Sequence, residues 1–139
     1  MKNRNIFLNK HLKNVCVQGL GYVGSATMAA VSSARDKFGK PIYNVIGLDL
    51  KNEEGEKKIF SFNKGNFPFV SADNKMKTFI KKAFLEKRLF ATSDVDYFAI
   101  ADVVLVNVAL DISYKRKKSY VDFSKFDDAI RTIASKINS

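Results

Sequence analysis

The chain is poor in the residues that build disulfide frameworks, metal centres and nucleophilic active sites. Its 139 residues include one cysteine, one histidine, two prolines and no tryptophan. A lone cysteine excludes an internal disulfide framework, and one cysteine with one histidine cannot assemble a metal site. Cys16 lies in a predicted strand, where burial makes a thiol a poor nucleophile. We expect His11, in a polar segment, to be solvated. The sequence therefore predicts no catalytic residue and no metal site.

Long hydrophobic runs are also missing. No apolar stretch approaches the roughly 20 residues of a membrane span. The apolar stretch at residues 6–8 is shorter than a signal-peptide core of about 7 to 15 residues. Hydrophobic residues make up 46% of the chain and charged residues 27%, which is ordinary for a globular domain. We therefore expect one cytoplasmic domain over residues 1–139, with no membrane contact.

Negative charge is scarce, because 14 acidic residues stand against 24 basic ones and the net charge is +10. A basic domain can bind nucleic acid through the phosphates. The basic run at residues 115–118 lies between Tyr114 and Tyr120, which suits such a role. The other lysines are scattered, as on solvated helix faces. We rank nucleic-acid binding below the attraction of a small anionic ligand, which explains the same charge.

A glycine-rich turn stands between a strand pattern and a helix pattern. The predicted buried strand at residues 14–17 leads into Gly19, Gly21 and Gly24, spaced as Gly-x-Gly-x-x-Gly. This is the fingerprint of a dinucleotide-binding βαβ unit: the first glycine permits the turn, the second admits the pyrophosphate, and the third lets the helix pack closely. The N-terminus of the helix then faces the phosphates. Apolar residues recur at helical spacing after the turn: Val23, Ala26, Ala30, Val31 and Ala34.

A second predicted strand, residues 43–49, ends in Asp49, where such units bind the ribose hydroxyls. The interval from the glycines exceeds the roughly 20 residues expected, and the Gly- and Pro-containing loop at residues 37–41 absorbs the excess. A carboxylate here favours NAD over NADP because it repels a 2′-phosphate, although Lys51 would attract one. The alternative is a glycine turn of another α/β domain, with Asp49 a solvated strand end.

Four segments match the pattern of one dehydrogenase family in order. They are Gly-Leu-Gly-Tyr-Val-Gly at 19–24, Val-Ile-Gly-Leu-Asp at 45–49, Asn-Lys-Gly-Asn-Phe-Pro at 63–68, and Leu-Phe-Ala-Thr-Ser-Asp at 89–94. The last leads through a short helix to Ala-Asp-Val-Val-Leu-Val-Asn-Val at 101–108. With these segments the chain resembles, over nearly its whole length, the N-terminal domain of the UDP-glucose/GDP-mannose dehydrogenase family.

The resemblance implies an α/β fold, a Rossmann-type doubly wound parallel sheet truncated after about four strands. Family members oxidise a nucleotide sugar's C6 alcohol to a carboxylate through two NAD-dependent hydride transfers and a cysteine thioester. Their catalytic cysteine, connecting helix and C-terminal nucleotide-sugar domain would lie outside this chain. We therefore expect an NAD-binding fragment of a UDP-glucose or UDP-N-acetylmannosamine type dehydrogenase of polysaccharide biosynthesis, inactive alone. A non-catalytic dinucleotide-binding or sensor module is the alternative.

The resemblance also implies which residues contact the cofactor. Lys58 is the match, counted back from Gly65, to a basic residue that reaches the adenosine ribose in relatives. Thr92 matches the threonine of the third strand, although it could equally cap the helix that follows. The full set expected to contact NAD is Gly19, Leu20, Gly21, Tyr22, Val23, Gly24, Asp49, Leu50, Lys51, Lys58, Thr92, Val108, Ala109 and Leu110.

Two segments depart from the family pattern. Residues 108–112 replace a Pro-Thr loop, so Val108, Ala109 and Leu110 are expected near the nicotinamide half through their backbone. Residues 67–71, Phe-Pro-Phe-Val-Ser, replace the Tyr-Glu-Pro-Gly-Leu of many relatives, which leaves the subfamily and its sugar open.

Two further amphipathic stripes predict helices that bury their apolar faces. One helix enters at residues 71–73, the other near Asp122. If the sheet ends at its fourth strand, its open edge invites pairing with another chain. We therefore expect a marginally stable or self-associating domain, as a homo-oligomer or with a companion chain. The two stripes are Met76, Phe79, Ile80, Ala83 and Phe84, and Phe123, Phe126, Ile130, Ile133 and Ile137.

Overall fold

The computed structural model describes residues 8–70, 73–115 and 118–137. Strands and helices alternate along most of this length, and a hairpin and one last helix follow. The strands are β1 (Lys13–Gln18), β2 (Tyr43–Leu48), β3 (Leu89–Thr92), β4 (Val103–Val106), β5 (Asp111–Lys115) and β6 (Lys118–Asp122). The helices are α1 (Tyr22–Ser33), α2 (Glu53–Phe62), α3 (Asn74–Leu85) and α4 (Ser124–Ile137), with a 3₁₀ helix at Val95–Ile100.

Four strands form a parallel sheet in the order β3-β2-β1-β4. β1 lies inside the sheet and pairs with β2 in register from Lys13 opposite Tyr43 to Gln18 opposite Leu48. The chain winds outward from β1 to β3 and then crosses to the other side of β1 to form β4. The direction of winding therefore reverses between β1 and β4, and doubly wound sheets bind ligands at the carboxyl ends of strands beside such a reversal. The predicted Rossmann-type sheet is confirmed.

Helices cover both faces of the sheet. Successive residues of a strand point to opposite faces, so each strand contributes to the core on both sides. Val17 faces a cluster shared with α1, α2 and α3, whereas its neighbour Cys16 faces a cluster shared with the 3₁₀ helix and α4. The first cluster includes Val17, Leu20, Met28, Val45, Ile59, Phe62, Ile80 and Ala83. The second includes Cys16, Ile46, Leu48, Phe98 and Ile133.

Helix α1 forms as predicted, but it buries a different face from the one its apolar spacing suggests. Val23 is 66% exposed and Ala30 is exposed, whereas Ser25 and Ser32 are buried with Met28. Small residues let the helix lie close to the sheet. The buried hydroxyls are satisfied locally, Ser25 donating to the Leu20 carbonyl at 3.1 Å and Ser32 to the Ala29 carbonyl at 2.8 Å. Close packing rather than apolar bulk therefore orients α1.

Helices α3 and α4 differ in how far their apolar stripes are buried. On α3 the prediction is confirmed, with Ile80 and Ala83 fully buried. On α4 it is wrong, because only Ile133 is buried, while Phe123, Phe126, Ile130 and Ile137 remain 38–54% exposed. The helix packs mainly on the 3₁₀ helix, so one position of its stripe reaches the second cluster. Within the described ranges, no helix is long and apolar enough to cross a bilayer.

The antiparallel hairpin β5-β6 is not predicted by the family pattern, although the alternation in Asp-Ile-Ser-Tyr-Lys is a strand signal. Tyr114 is opposite Ser119, and Tyr120 is opposite Ser113. Because successive residues face opposite sides, the two tyrosines lie on opposite faces of the hairpin. Residues 116–117 of the basic run lie outside the described residues. The two tyrosines therefore form no shared stacking face beside the basic run.

Candidate functional site

The glycine turn lies at the carboxyl end of β1, beside the reversal in winding. Gly19 has φ of +88°, in the left-handed region that favours glycine, and its N–H donates to the Leu48 carbonyl at 2.8 Å. A Cβ at Gly19 would collide with the carbonyl oxygen of Asn107, and a Cβ at Gly24 would collide with the carbonyl oxygen of Gly19. The turn, β4 and α1 therefore meet at a distance that excludes side chains at both positions.

Gly21 is a glycine for a different reason. Its φ of −61° is ordinary, and no heavy atom lies within 4 Å of where its Cβ would be. A side chain here would project into the open space above the turn rather than into the protein. The same position begins α1 without a capping side chain, and the first turn of α1 holds no acidic residue. Asn52 and Asp73, by contrast, cap α2 and α3 with their side chains.

The first turn of α1 is thus suited to an anion. The first N–H groups of a helix have no partner within the helix, and the positive end of the helix dipole favours phosphate. A pyrophosphate can approach the backbone only where the glycine leaves room. The open space at Gly21 and the uncapped first turn together meet both requirements of a dinucleotide.

Asp49 connects three elements at the edge of this space. Its Oδ2 accepts the Leu20 N–H at 3.3 Å and the Lys58 ammonium at 2.8 Å. Its backbone N–H donates to the Thr92 carbonyl at 3.2 Å. The side chains of Asp49 and Lys58 are 11% and 22% exposed, so the ion pair is largely shielded from water. Asp49 therefore links the glycine turn to α2 and β3.

Lys58 reaches Asp49 because of how α2 begins. Asn52 accepts the Gly55 N–H at 2.8 Å as the N-cap, and Gly55 approaches the Leu50 carbonyl so closely that a Cβ would collide with it. The helix start is thus held against the end of β2, and Lys58 lies in the second turn of α2, from which its ammonium reaches Asp49. Leu50 and Lys51 are exposed beside this pair.

Thr92 and Val108 approach the site from the neighbouring strands. The Thr92 Oγ1 accepts the Asp94 N–H at 3.1 Å, so its hydroxyl closes the turn into the 3₁₀ helix. Val108 follows Asn107, and its nitrogen lies 3.6 Å from where a Cβ of Gly19 would be. Ala109 and Leu110 are exposed in the connection to β5. The structure therefore brings Thr92 to Asp49 and Val108 to the turn, and leaves Ala109 and Leu110 on the surface.

Asn107 is missing from the predicted site residues. Its N–H donates to the Gln18 carbonyl at 2.8 Å, and its carbonyl oxygen is the atom that excludes a side chain at Gly19. The sequence places Asn107 directly after a predicted strand, which is where site residues of parallel sheets occur. That position, within the family-matched segment at 101–108, is the sequence signal that points to it, whereas its contacts with Gln18 and Gly19 join residues distant in sequence.

Cys16 is no candidate for chemistry. The side chain is completely buried, its Sγ lies 3.7 Å from the Tyr97 carbonyl oxygen, and burial raises the pKa of its thiol to about 12. His11 is exposed. Among the described residues, no group of three histidine, cysteine or acidic side chains is placed to hold a metal ion.

A groove of about 830 Å³ opens elsewhere, between α3 and the segment after α2. Its lining includes Gly65, Asn66, Phe67, Lys77, Thr78, Lys81, Lys82, Leu85 and Glu86. It contains no residue of the glycine turn and not Asp49, so it is separate from the candidate site.

Comparison with protein families decides the affiliation of the chain. Residues 13–139 match the UDP-glucose/GDP-mannose dehydrogenase family, NAD binding domain. The chain belongs to this family. The matched part of this family is the NAD-binding domain of nucleotide-sugar dehydrogenases, and the cofactor of the chain is therefore NAD. No curated protein sequence matches the chain.

Three solved structures share the fold. The NDP-N-acetyl-D-galactosaminuronic acid dehydrogenase of Methanosarcina mazei Go1 is 21% identical with a TM-score of 0.76, over 92% of this chain and 26% of its own. A GDP-mannose dehydrogenase of Pseudomonas aeruginosa, solved as a ternary complex, is 24% identical with a TM-score of 0.69, over 88% and 25%. A UDP-glucose dehydrogenase of Pyrobaculum islandicum is 19% identical with a TM-score of 0.66, over 88% and 25%. The chain thus spans about a quarter of the length of these relatives.

Proposed function

We propose that residues 1–139 form the NAD-binding domain of a nucleotide-sugar 6-dehydrogenase, which oxidises the sugar C6 alcohol to a carboxylate with two NAD. Family membership supports the class of enzyme, and the names of the three solved relatives support a nucleotide sugar as substrate. The observation that carries the proposal is the geometry at Gly21 and Asp49, where an uncapped helix start faces open space and the adjoining Leu20 N–H is bound by a shielded carboxylate. NAD, when bound, accepts the hydride from the substrate.

The chain's own residues bind and orient the cofactor in this proposal. The pyrophosphate lies on the glycine turn and the start of α1, at residues 19–24, and the adenosine ribose lies against Asp49 and Lys58. Leu50 and Lys51 flank the ribose, and Thr92 lies beyond it at the end of β3. On the β4 side, residues 108–110 line the nicotinamide half through their backbone. The Asp49 carboxylate accepts the ribose hydroxyls while Lys58 holds it in place.

We place the chemistry outside this chain. Cys16 is buried with a raised pKa, so it supplies no thiolate for a thioester. The catalytic cysteine and the nucleotide-sugar contacts would come from a C-terminal half or a companion chain, and the chain alone would be inactive. The outer edge of β4 offers a place for another chain to pair, or for a homo-oligomer to form. A single unpaired cysteine fits a reducing cytoplasm, and the products of such enzymes fit polysaccharide biosynthesis.

A non-catalytic dinucleotide-binding or sensor module is the second candidate, favoured by the burial of the only thiol. The two candidates differ in what a companion polypeptide does. Turnover restored by mixing in a cysteine-bearing companion chain would exclude the sensor module.

The proposed ribose site is tested by replacing Asp49. Asp49→Asn removes a charged hydrogen-bond acceptor, so we expect NAD to bind about tenfold more weakly. Removal of the negative charge should also narrow the preference for NAD over NADP, because a 2′-phosphate is no longer repelled. Isothermal titration calorimetry with both dinucleotides measures the two effects. Asp128→Asn, the same change on the exposed surface of α4, is the control, and unchanged NAD affinity in Asp49→Asn would contradict the proposed site.

A further inference from the structure

Three aromatic rings meet beside the glycine turn. Tyr22, the first residue of α1, lies edge-to-face with Phe67 at 6.1 Å between ring centroids and with Phe69 at 5.7 Å. Phe67 and Phe69 contact each other at 6.0 Å. Edge-to-face contacts at these separations are favourable beyond the area they bury. We call Tyr22, Phe67 and Phe69 the aromatic brace.

The two phenylalanines are anchored in the body of the protein. Phe67 belongs to the first core cluster, and Phe69 packs against it. The segment that carries them turns back after α2 at Gly65, whose φ is +72°. Its entry is fixed by the Asn66 N–H, which donates to the Ser61 carbonyl, and by the Ser61 hydroxyl, which donates to the Asn66 carbonyl at 3.2 Å. The brace therefore connects the glycine turn to a fixed part of the core.

Tyr22 lies where the turn needs such a connection. It directly follows Gly21, so its N–H belongs to the first turn of α1, and its side chain is half exposed. A helix start is usually held by a capping side chain, and α1 has none. In this chain, the rings of a distant segment contact Tyr22, the first residue of this uncapped helix start.

We infer that Phe67 and Phe69 are positioning residues for the cofactor, which hold Tyr22 and with it the N–H groups that bind the pyrophosphate. This inference rests on the proposed function. It gives a role to the segment in which the chain departs from the Tyr-Glu-Pro-Gly-Leu of many relatives. A turn ordered before binding loses less conformational freedom when the dinucleotide binds, which raises affinity.

Phe69→Ala tests the inference through ligand selectivity. Removing the ring should lower the affinity for NAD and for ADP, which both carry a pyrophosphate, by about two- to tenfold. Adenosine, which reaches only the ribose site, should bind as before in an NMR titration. Phe69→Tyr keeps the ring and should restore affinity. Phe38→Ala removes an exposed phenylalanine from the loop after α1 and serves as the matched control.

A double-mutant cycle shows whether Phe69 acts through Tyr22. Tyr22→Ala removes the half-exposed ring of the aromatic brace, so it provides a second test variant if Phe69→Ala folds poorly. If the two rings act together, the double variant should bind NAD about as weakly as the worse single variant. Additive losses, or equal weakening of adenosine and NAD, would overturn the inference.

Backbone order in the free protein separates this inference from the proposed function. Backbone ¹⁵N order parameters at Tyr22 and Val23 should be about 0.85 in the parent chain and fall toward about 0.6 in Phe69→Ala. In Phe38→Ala they should remain at the parent values. Unchanged order parameters at both residues would overturn the inference that the brace positions Tyr22, even if NAD binds. Failure of the parent chain to bind NAD would instead contradict the proposed function, while the order parameters still decide the brace.

Discussion

The three glycines of the turn occupy three different environments. Gly19 has a positive φ and faces a carbonyl oxygen of the β4 connection, Gly24 faces a carbonyl oxygen of the turn itself, and Gly21 faces open space. The Gly-x-Gly-x-x-Gly pattern already assigns Gly21 to ligand access and Gly24 to close helix packing, and the structure adds that a side chain at Gly19 would collide with Asn107. Stability and binding should therefore separate when the glycines are replaced one at a time.

Gly21→Ala and Gly24→Ala form a matched pair of variants. The methyl at position 21 meets no protein atom, so we expect an unchanged Tm and NAD affinity about tenfold weaker, because the methyl occupies ligand space. The methyl at position 24 collides with backbone, so we expect a loss of about 2 kcal/mol or more in the free energy of unfolding. Thermal melts and calorimetry measure both. A large drop in Tm for Gly21→Ala would contradict the open site.

Predictability at this scale depends on how far apart the interacting residues lie. The sequence predicts Asp49 as a site residue from its place at the end of a strand pattern, and it predicts Lys58 from the family match. The ion pair between them, and the contact of Asn107 with Gly19, join residues from different elements. The aromatic brace joins Tyr22 to residues far along the chain. Composition and periodicity carry no information about such pairs, so the sequence does not predict them.

At the scale of elements, periodicity predicts that helices form better than it predicts which face is buried. Helix α1 buries serines and small residues because it lies close to the sheet, and α4 exposes most of its apolar stripe because it packs on a single 3₁₀ helix. The extra residues between α1 and β2 form a turn closed by a bridge between Arg35 and Pro41, as a loop that tolerates length should. Neighbouring elements, rather than the stripe itself, decide burial.

Ile133 and Ile130 on α4 test this account. Ile133 is 8% exposed within the second cluster and Ile130 is 41% exposed. We expect Ile133→Ala to lower the free energy of unfolding by about 2 to 4 kcal/mol and Ile130→Ala to lower it by less than about 1 kcal/mol. Urea denaturation measures both. Equal losses would mean that the exposed stripe is covered in solution, for example by another copy of the chain.

A charged cluster joins the ends of α1 and α3. Arg88 is buried, and it donates to the Ser32 carbonyl at 2.8 Å and to Glu86 at 2.6 Å. Glu86 also pairs with Arg35 at 3.2 Å. Partial burial raises the pKa of Glu86, but the hydrogen bonds and charges of Arg88 and Arg35 outweigh it, so the pKa falls below its ordinary value of 4.5. The cluster should therefore stabilise the fold only while Glu86 is ionised.

Glu86→Gln makes that pH dependence measurable. A carboxyl whose pKa is lowered by folding contributes stability above its unfolded pKa, and the contribution is lost as pH falls through the folded value. We expect the variant to be about 1 to 2 kcal/mol less stable at pH 7, with the difference shrinking as pH falls from about 5 to 3. Glu53→Gln, which breaks an exposed pair with Lys57, should change little. A difference that does not vary with pH would contradict the role of Glu86.

For the whole molecule, the order of strand and helix patterns with one glycine fingerprint is enough to predict the class of fold. Parallel strands joined by helices have few allowed arrangements. The sequence therefore predicts the doubly wound sheet and the edge, at the carboxyl ends of its strands, where a cofactor would bind. The hairpin β5-β6 follows from no such rule, since it lies beyond the sheet and its residues are mostly exposed. Within the described residues, β4 has no strand neighbour at its outer edge, and most of the α4 stripe is exposed.

The central claim is that NAD binds at the glycine turn, and the Tm of the purified chain during titration with NAD or NADP tests it most directly. A ligand that binds only the folded state stabilises it by mass action, by about 2.7 kcal/mol at 100 times its Kd. We predict that Tm rises with NAD, rises less with NADP, and rises less with NAD in Gly21→Ala than in the parent chain at the same NAD concentration. A Tm that does not respond to NAD, or that responds equally in Gly21→Ala, would contradict the account.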